Sequence, residues 1–271
     1  AQRAAPPAEG RCRRRHARRR VRRAATALRL LADRVGAWRE DYRVPRYDAD
    51  RVFCLDVECV AVGRTHERRH RAPCELALVD GHGNLRLHTY LRPRQPIVSY
   101  LTPFTGLRAG DLDRLGARHF WDARDALLKA LPRDAVLVGQ CPDGDAEWMC
   151  LKQGADFERT VDLAEIFRGP EGEWCSLMHE AEVLLRQEHP PNAPHDPRWD
   201  AKVSMELYHK AARASAHELR SMILQLLDFR HWPPKPSLAR RHGFEIDGVC
   251  LSMYNADGCR CGSSVRQGRP S

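Results

Sequence analysis

The chain has 271 residues, enough for one large domain or two small ones with a sizeable core. It contains no run of 18 apolar residues, so we expect no transmembrane helix and no membrane partner. Its ten cysteines lack the paired spacing of secreted scaffolds, and no apolar signal segment is present. We therefore expect reduced thiols in an intracellular protein.

The net charge of +9 is concentrated in the first 50 residues, which hold 15 arginines and six acidic residues. The segment RCRRRHARRRVRR (11–23) contains nine arginines and no acid, which indicates a polyanion-binding arm or a nuclear-import signal. The alternative is a solvated, disordered tail. We expect a nuclear or nucleolar location, with an organelle as the alternative. Because the first residue is alanine rather than methionine, we also expect a processed or truncated product.

The first predicted element is a helix over residues 22–40. It follows a stretch that we expect to be disordered (1–20), and its apolar residues recur on one helical stripe, which is typical of a helix that docks on a core. Together these residues define a basic arm plus docking helix, residues 1–48. A globular domain over 49–230 and an irregular tail over 231–271, where Pro, Gly and Arg dominate, complete the predicted organisation.

The first predicted strand, residues 51–58, overlaps the sequence FCLDVECV (53–60), which contains Asp56 and Glu58. Side chains alternate across a strand, so Asp56 and Glu58 share one face, while both faces are otherwise apolar. Two carboxylates at the end of a buried strand repel each other and lose hydration unless a positive charge lies between them.

The remaining elements follow in alternation after a predicted hairpin. The hairpin strands are 74–80 and 85–91, joined by the turn GHGN. Residues 93–120 are predicted to be loop-like with short helical stretches. Helices and strands then alternate: helix 121–131, strand 135–139, helix 145–152 and strand 159–163. Two helical regions, 175–187 and 197–230, complete the domain. This order predicts an α/β fold with a mixed sheet flanked by helices.

A second acidic motif lies in AVLVGQCPDGDAEWMCL (135–151), where a buried strand passes through a loop into a helix. Asp143 and Asp145 stand at this junction, beyond the carboxyl end of the strand, where ligands collect in α/β sheets. The alternative is that these aspartates only cap the helix.

A third motif lies in NAPHDPRWDAKVSMELYHK (192–210). Asp196 followed by Pro197 predicts a helix start, which puts His195 just outside the helix and Asp200 one turn inside it. The two side chains can then converge near the helix N-terminus. Alternatively, His195 is an exposed loop histidine and Asp200 only favours the helix dipole.

Four carboxylates and a histidine have the composition of a two-metal phosphoryl-transfer site. Hard divalent ions such as Mg²⁺ or Mn²⁺ prefer oxygen ligands, and two ions about 4 Å apart can hold the attacking water and the leaving oxygen of a phosphodiester. A histidine that titrates near neutrality can accept the proton of the water.

These motifs resemble those of the DEDDh 3′→5′ exonucleases: Asp-x-Glu on a strand (Asp56, Glu58), an Asp after a strand and loop (Asp145), and His-x-x-x-x-Asp (His195, Asp200). Three stretches are similar to the eukaryotic RNA exonuclease branch, which includes ribosomal-RNA-processing and interferon-stimulated enzymes. They are YLRPRQPIVSYLTPFTGLRAGDL (90–112), VLVGQCPDGDAEWMCL (136–151) and HDPRWDAKVSMELY (195–208). The register of the second stretch selects Asp145 over Asp143.

The resemblance covers about residues 50–212 and implies a ribonuclease-H-like fold. It implies hydrolysis of RNA from a free 3′ end with release of nucleoside 5′-monophosphates. It also implies two Mg²⁺ or Mn²⁺ ions, with Asp56 bridging both, Glu58 and Asp200 completing one site, Asp145 supporting the other, and His195 as general base. The chain departs from the family pattern in two places. The loop residues of the second motif, Cys141–Gly144, are unusual, and the loop before His195 is rich in proline.

Two weaker sets of residues remain. Phe104 and Trp148 are candidates for stacking on a nucleobase, with core packing as the alternative. His242, Cys250, Cys259 and Cys261 offer zinc-type ligands, although their spacing is not a standard one and reduced thiols on an irregular tail are the simpler interpretation.

Two other functions stay open at this point. The site senses phosphates rather than the 2′-hydroxyl, so single-stranded DNA is an alternative substrate. The second alternative is a catalytically inactive nuclease fold that binds RNA in a ribonucleoprotein, although the intact acidic motifs favour an enzyme.

Overall fold

A computed structural model describes residues 41–190, 192–228, 230–253, 259 and 261–262. The predicted basic stretch 11–23 and the predicted docking helix 22–40 lie outside the described residues. Within the described part of the chain, no helix is both long enough and apolar enough to cross a bilayer.

A mixed six-stranded sheet forms the centre of the described structure, in the order β4-β3-β2-β1-β5-β6. Strands β1, β2 and β3 are antiparallel neighbours, whereas β5 and β6 continue parallel to β1, and β4 pairs parallel with β3. The strands are β1 Val52–Ala61, β2 Arg71–Asp80, β3 Leu85–Arg92, β4 Arg118–His119, β5 Val136–Gly139 and β6 Arg159–Asp162. The predicted α/β fold with a mixed sheet is confirmed.

Helices cover the sheet and connect its strands. They are α1 Thr102–Thr105, α2 Asp111–Arg114, α3 Phe120–Ala130, α4 Pro142–Trp148, α5 Leu163–Ile166, α6 Leu177–Glu180, α7 Pro197–Arg213, α8 Ala216–Leu226 and α9 Leu238–Arg241. Short 3₁₀ turns occur at Ala49–Arg51 and Arg68–His70, and a π-helical turn, Ala181–Leu185, continues α6.

Strand β1 is buried on both faces, as its sequence predicts. Phe53 and Leu55 belong to a hydrophobic cluster with residues of α3 and α4, whereas Val52 and Cys54 belong to a second cluster with α7. Asp56 and Glu58 continue the α7-facing row, because side chains two apart on a strand point the same way. The acids of β1 therefore face the helix that carries Asp200.

Helix α7 begins as predicted. Asp196 is its N-cap and accepts a hydrogen bond from the backbone N–H of Arg198, and Pro197 occupies the first turn. Asp200, one turn into the helix, is only 4% exposed and lies on the face that packs against β1 and β2.

Two features of the central region differ from the sequence-based expectation. Strand β4 lies within a segment expected to be a loop with short helices; it has only two residues and pairs at the edge of the sheet. Helix α4 begins at Pro142, three residues before the expected start at 145, because Cys141 has a positive φ of 60° that turns the chain directly into the helix.

The described part of the C-terminal segment contains only short elements. Helix α9 is followed by a two-residue hairpin, β7 Glu245–Ile246 and β8 Val249–Cys250. Ile246 and Val249 are buried against Ala61 of β1 and Leu101, with Phe104 packed against the same cluster. The hairpin therefore supports the loop that enters α1.

Candidate active site

The two acids of β1 lie where the strand is locally irregular. The register between β1 and β2 shifts between Glu58 and Cys59, which is typical of a β-bulge. Bulges next to active sites re-aim side chains. Glu58 lies opposite Glu75 of β2, so that a further carboxylate shares this face of the sheet, where it contacts His88 at 2.7 Å.

Asp145 reaches β1 from the start of α4. Strands β1 and β5 pair at Val52–Val136 and Phe53–Leu137. Further along β1, the backbone N–H of Val57 donates a 3.1 Å hydrogen bond to Asp145 Oδ1 instead. This bond holds the carboxylate beside Asp56 and Glu58. Asp143 is exposed, so the structure brings Asp145 rather than Asp143 to the β1 acids.

His195 and Asp200 converge on Glu58, as the predicted helix start requires. His195 Nδ1 lies 3.8 Å from Glu58 Oε1 and 3.6 Å from Asp200 Oδ2. The backbone N–H of His195 donates to the carbonyl of Phe104 at 2.7 Å, and the two rings stack with centroids 5.9 Å apart. The proline-rich loop before His195 therefore ends at a point fixed by α1.

Crowding and burial disfavour negative charge at all four carboxyl groups. Burial is the main cause that raises the pKa of Glu58, Asp145 and Asp200 well above the usual range, and neighbouring carboxylates add to it. Burial also raises the pKa of Asp56 to about 7, helped by the charges of Glu75 and Asp196. An added cation would relieve this repulsion and favour the ionised forms.

The imidazole of His195 is neutral at pH 7. Burial lowers its pKa to about 4, and the positive potential of His189 and Arg241 adds to the shift. This pKa lies below the near-neutral value expected from the sequence, because the ring is only partly open to water. A neutral imidazole can nevertheless accept a proton.

The donor set fits divalent metal ions with oxygen ligands. Glu58, His195 and Asp200 each offer a ligand atom within 4.8 Å of the others. Asp200 Oδ2 is buried and has no hydrogen-bond partner among the described residues. A buried carboxylate oxygen without a donor is costly unless a cation contacts it. Carboxylates in this arrangement suit Mg²⁺ or Mn²⁺ better than a soft metal.

The two aromatic candidates differ in their surroundings. Phe104 is half-buried beside His195, at the rim of the acidic cluster. Trp148 is half-buried on α4, and the guanidinium of Arg68 lies 3.8 Å over its ring. One face of Trp148 is therefore covered by a cation–π contact, whereas Phe104 lies next to the acids.

Three features of this site were missed by the sequence-based reasoning. Glu75 is an acid inside the otherwise apolar run CELALV (74–79), which is a signal that could have identified it. Arg68 contacts Glu147 at 2.8 Å and donates to the carbonyl of Gly144 at 3.0 Å, so it lies beside Asp145. The Val57 amide carries no sequence signal at all, because every residue but proline has one.

Comparison with known sequences identifies relatives named as nucleases. The chain is 28% identical over 158 residues to RNA exonuclease 4 of Cryptococcus neoformans, covering 57% of this chain and 37% of that protein. It is 27% identical over 162 residues to RNA exonuclease 5 of Rattus norvegicus, with coverages of 59% and 20%. It is 31% identical over 117 residues to small RNA degrading nuclease 2 of Arabidopsis thaliana, with coverages of 43% and 23%. The chain thus spans well under half the length of these relatives. No family model matches it.

Solved structures share the fold. The catalytic unit of Neurospora crassa Pan2, with its protease and nuclease domain, superposes with a TM-score of 0.53 at 23% identity, over 69% of this chain and 31% of that one. The Saccharomyces cerevisiae Pan2 pseudoubiquitin hydrolase–RNA exonuclease module in complex with AACCAA RNA gives a TM-score of 0.53 at 19% identity, over 76% and 35%.

The described α/β architecture, a mixed sheet flanked by helices, is shared with these exonuclease structures. Taken with the named relatives, it confirms the resemblance to the DEDD-type RNA exonucleases that the acidic motifs indicate.

Proposed function

We propose that the chain is a metal-dependent 3′→5′ exoribonuclease acting in RNA processing or turnover. It hydrolyses the terminal phosphodiester at a free 3′ end and releases nucleoside 5′-monophosphates. The observation that carries the proposal is the convergence of Asp56, Glu58, Asp145, Asp200 and His195, from three separate segments, on one largely buried cluster. Relatives named as RNA exonucleases support RNA as the substrate.

The acids would hold two divalent ions, Mg²⁺ or Mn²⁺. Asp56 would contact both, Glu58 and Asp200 would complete one site, and Asp145 would support the other. When bound, such ions activate water and stabilise the charge that develops on the phosphate oxygens. The Val57–Asp145 hydrogen bond and the capped start of α7 keep the carboxylates in position before substrate arrives.

His195 would act as the general base. Its neutral ring accepts a proton from the attacking water, and the carboxylates of Glu58 and Asp200, within 4 Å of Nδ1, stabilise the imidazolium that forms. The carbonyl of Phe104 accepts the hydrogen bond from the His195 N–H, its ring stacks on the imidazole, and the half-buried ring would contact the 3′-terminal base. Trp148 would contribute to substrate binding through the part of its ring that the Arg68 guanidinium does not cover.

The direct test is digestion of matched RNA and DNA oligonucleotides with Mg²⁺, with Mn²⁺ and with chelator. Each sequence is prepared with a 5′ label and with a 3′ label. A 3′→5′ exonuclease shortens the 5′-labelled strand stepwise and releases the 3′ label at once as a mononucleotide. Blocking the 3′ hydroxyl end should stop the reaction.

The same assay separates the alternatives. Faster digestion of DNA than of RNA would make the chain a DNA exonuclease. Tight RNA binding without cleavage in either metal would make it an idle RNA-binding module. Cleavage that persists in chelator would contradict the metal-dependent mechanism.

A further inference from the structure

A second cluster of metal-ligating side chains lies outside the acidic site. His66, in the loop after β1, meets Cys250 of β8 and two cysteines further along the chain, Cys259 and Cys261. His66 Nδ1 lies 3.6, 3.4 and 3.3 Å from the sulfurs of Cys250, Cys259 and Cys261 respectively. His242, which the sequence offered as the fourth ligand, is exposed and is not part of the cluster.

The distances match one tetrahedral metal ion rather than a disulfide. Cys250 Sγ and Cys259 Sγ lie 3.8 Å apart, and Cys259 Sγ and Cys261 Sγ lie 3.4 Å apart. A disulfide needs about 2.05 Å. Zinc bonds of about 2.3 Å to sulfur and about 2.0–2.1 Å to nitrogen, in a tetrahedron, separate two sulfurs by about 3.8 Å and nitrogen from sulfur by about 3.5 Å.

Backbone contacts bring the two segments of the cluster together. The N–H of Cys250 donates to the carbonyl of Arg64 at 2.8 Å, so β8 runs beside the loop that holds His66. Arg71, buried at the start of β2, donates to the carbonyl of Cys250 at 2.6 Å and to that of Thr65 at 3.0 Å. The cluster is therefore built by both segments, although they are nearly 200 residues apart in sequence.

The charge of the surroundings also suits zinc. Three thiols lose their protons when they bind the metal, so a Zn²⁺ site with three thiolates and one neutral imidazole carries a net charge of −1. The guanidinium of Arg71 interacts electrostatically with Cys250 and Cys261 and offsets that charge. Soft thiolates select zinc over the hard ions that suit the acidic site.

We propose that His66, Cys250, Cys259 and Cys261 form a structural Zn²⁺ site of the Cys₃His type. Four protein ligands leave no open position for water, as in sites that stabilise folds rather than catalyse reactions. The site ties the C-terminal segment to the loop between β1 and β2.

The zinc site braces the acidic site from two sides. Its hairpin buries Ile246 and Val249 against Leu101, beside Phe104, which holds the backbone of His195. Its loop carries Arg68, which contacts Gly144 and Glu147 on the helix of Asp145. The metal itself takes no part in the proposed hydrolysis.

The test is metal analysis of the full chain, expressed with zinc in the medium and dialysed to remove loose ions. We expect about one tightly held zinc per chain, released by a thiol-blocking reagent. Cys259→Ser and Cys261→Ser should each lose it, whereas Cys261→His, which keeps a zinc ligand, should retain it. Co²⁺ bound in its place should give the visible absorption of a tetrahedral thiolate site.

Three matched variants locate the ion. Cys150→Ser changes an exposed cysteine outside the cluster, His242→Ala removes the tail histidine, and Asp200→Asn disables the acidic site. All three should keep the zinc. Zinc that is lost with Asp200→Asn, or retained at the wild-type level in both serine variants, would overturn the proposal, as would a wild-type chain that holds none.

Thermal unfolding supplies a readout that does not depend on the serine variants folding. A zinc chelator should lower the Tm of the wild type, and added Zn²⁺ but not Mg²⁺ should restore it, because a metal that binds only the folded chain stabilises it. An unchanged Tm in chelator, or full recovery with Mg²⁺, would contradict a structural zinc site. Neither measurement uses nuclease activity, so the proposal stands or falls separately from the proposed function.

Discussion

Asp56 and Asp200 are the residues on which the proposed metal sites depend most directly. We expect Asp56→Asn and Asp200→Asn each to lower the rate of RNA hydrolysis by more than about 10²-fold, because the amide cannot supply the charge that holds a divalent ion. The measurement is single-turnover digestion of a labelled oligonucleotide. Asp143→Asn, an exposed aspartate in the same motif, is the matched control and should retain most of the activity.

The same substitutions should not unfold the metal-free protein. The pKa of Asp56 is raised to about 7, so the fold loses stability as the pH rises from the unfolded-state pKa to about 7, and Asn removes this cost at pH 8. Unfolding in urea with chelator present should give an equal or higher free energy for the variants at pH 8. A large loss of stability would mean that the carboxylates are structural. Wild-type turnover in either variant would refute the metal assignment.

His195 has a different expected signature. His195→Ala should slow hydrolysis by about 10²–10⁴-fold, the usual contribution of a general base, while the protein still binds divalent ions. Calorimetric titration with Mn²⁺ alongside the rate measurement separates the two effects. A collapse of metal affinity would instead make His195 a ligand, and its Nδ1 lies 3.8 and 3.6 Å from the carboxylates of Glu58 and Asp200.

At the scale of elements, buried Glu180 at the end of α6 lends itself to a stability test. It is fully buried in the structure, and burial raises its pKa well above the usual range, with the charge of Asp162 adding to the shift. Such a group stabilises the fold most at low pH, and that contribution is lost as the pH rises from the unfolded-state pKa toward the folded one.

We therefore expect Glu180→Gln to stabilise the protein by about 1 kcal/mol or more at pH 8 and by much less near pH 4–5, since one pKa unit corresponds to about 1.4 kcal/mol. Urea unfolding at both pH values checks this. Glu182→Gln is the control: that side chain is half-exposed and forms a surface ion pair with Lys235, so it should change stability by less than about 1 kcal/mol. An equal effect of Glu180→Gln at both pH values would contradict the argument.

Elements with a strong pattern were predictable from sequence. The alternation in β1, the hairpin turn between β2 and β3, and the Asp196–Pro197 start of α7 each gave nearly the observed bounds. Strand β4 was missed because two residues carry no periodicity, and the early start of α4 depends on the positive φ of Cys141. These features depend on tertiary contacts rather than on local preference.

The acidic site and the proposed zinc site also differ in how far the sequence predicts them. The carboxylates of the acidic site fall on or beside strongly patterned elements, so their convergence could be anticipated. His66 lies in a polar loop with no ligand-like spacing to the cysteines, and tertiary contacts, among them the hydrogen bonds from Cys250 to Arg64 and from Arg71 to both segments, bring the loop to Cys250. Sequence alone therefore offered the wrong histidine, His242, as the partner of the three thiols.

At the scale of the whole molecule, charge is divided between the arginine-rich segment and a neutral remainder. Residues 11–23 carry nine arginines, whereas the chain beyond residue 50 has no net charge, so long-range attraction to RNA should come mostly from the segment. Deleting residues 1–24 should weaken RNA binding and flatten its dependence on salt, because each lost phosphate contact removes about 0.7 from the log–log slope on a single strand.

The chemical step should respond much less to that deletion. Binding energy that is equal in the bound substrate and in the transition state does not raise the rate at saturation, so turnover at saturating RNA should stay close to wild type. Binding titrations at several salt concentrations, with the full chain and the deletion variant side by side, provide the measurement. A variant with the nine arginines replaced by lysine keeps the charge and should keep the slope. Identical slopes for the full and shortened chains would mean that the arginine-rich segment does not contact RNA. The segment would then be better explained as a nuclear-import signal or as a result of an arginine-rich amino-acid composition.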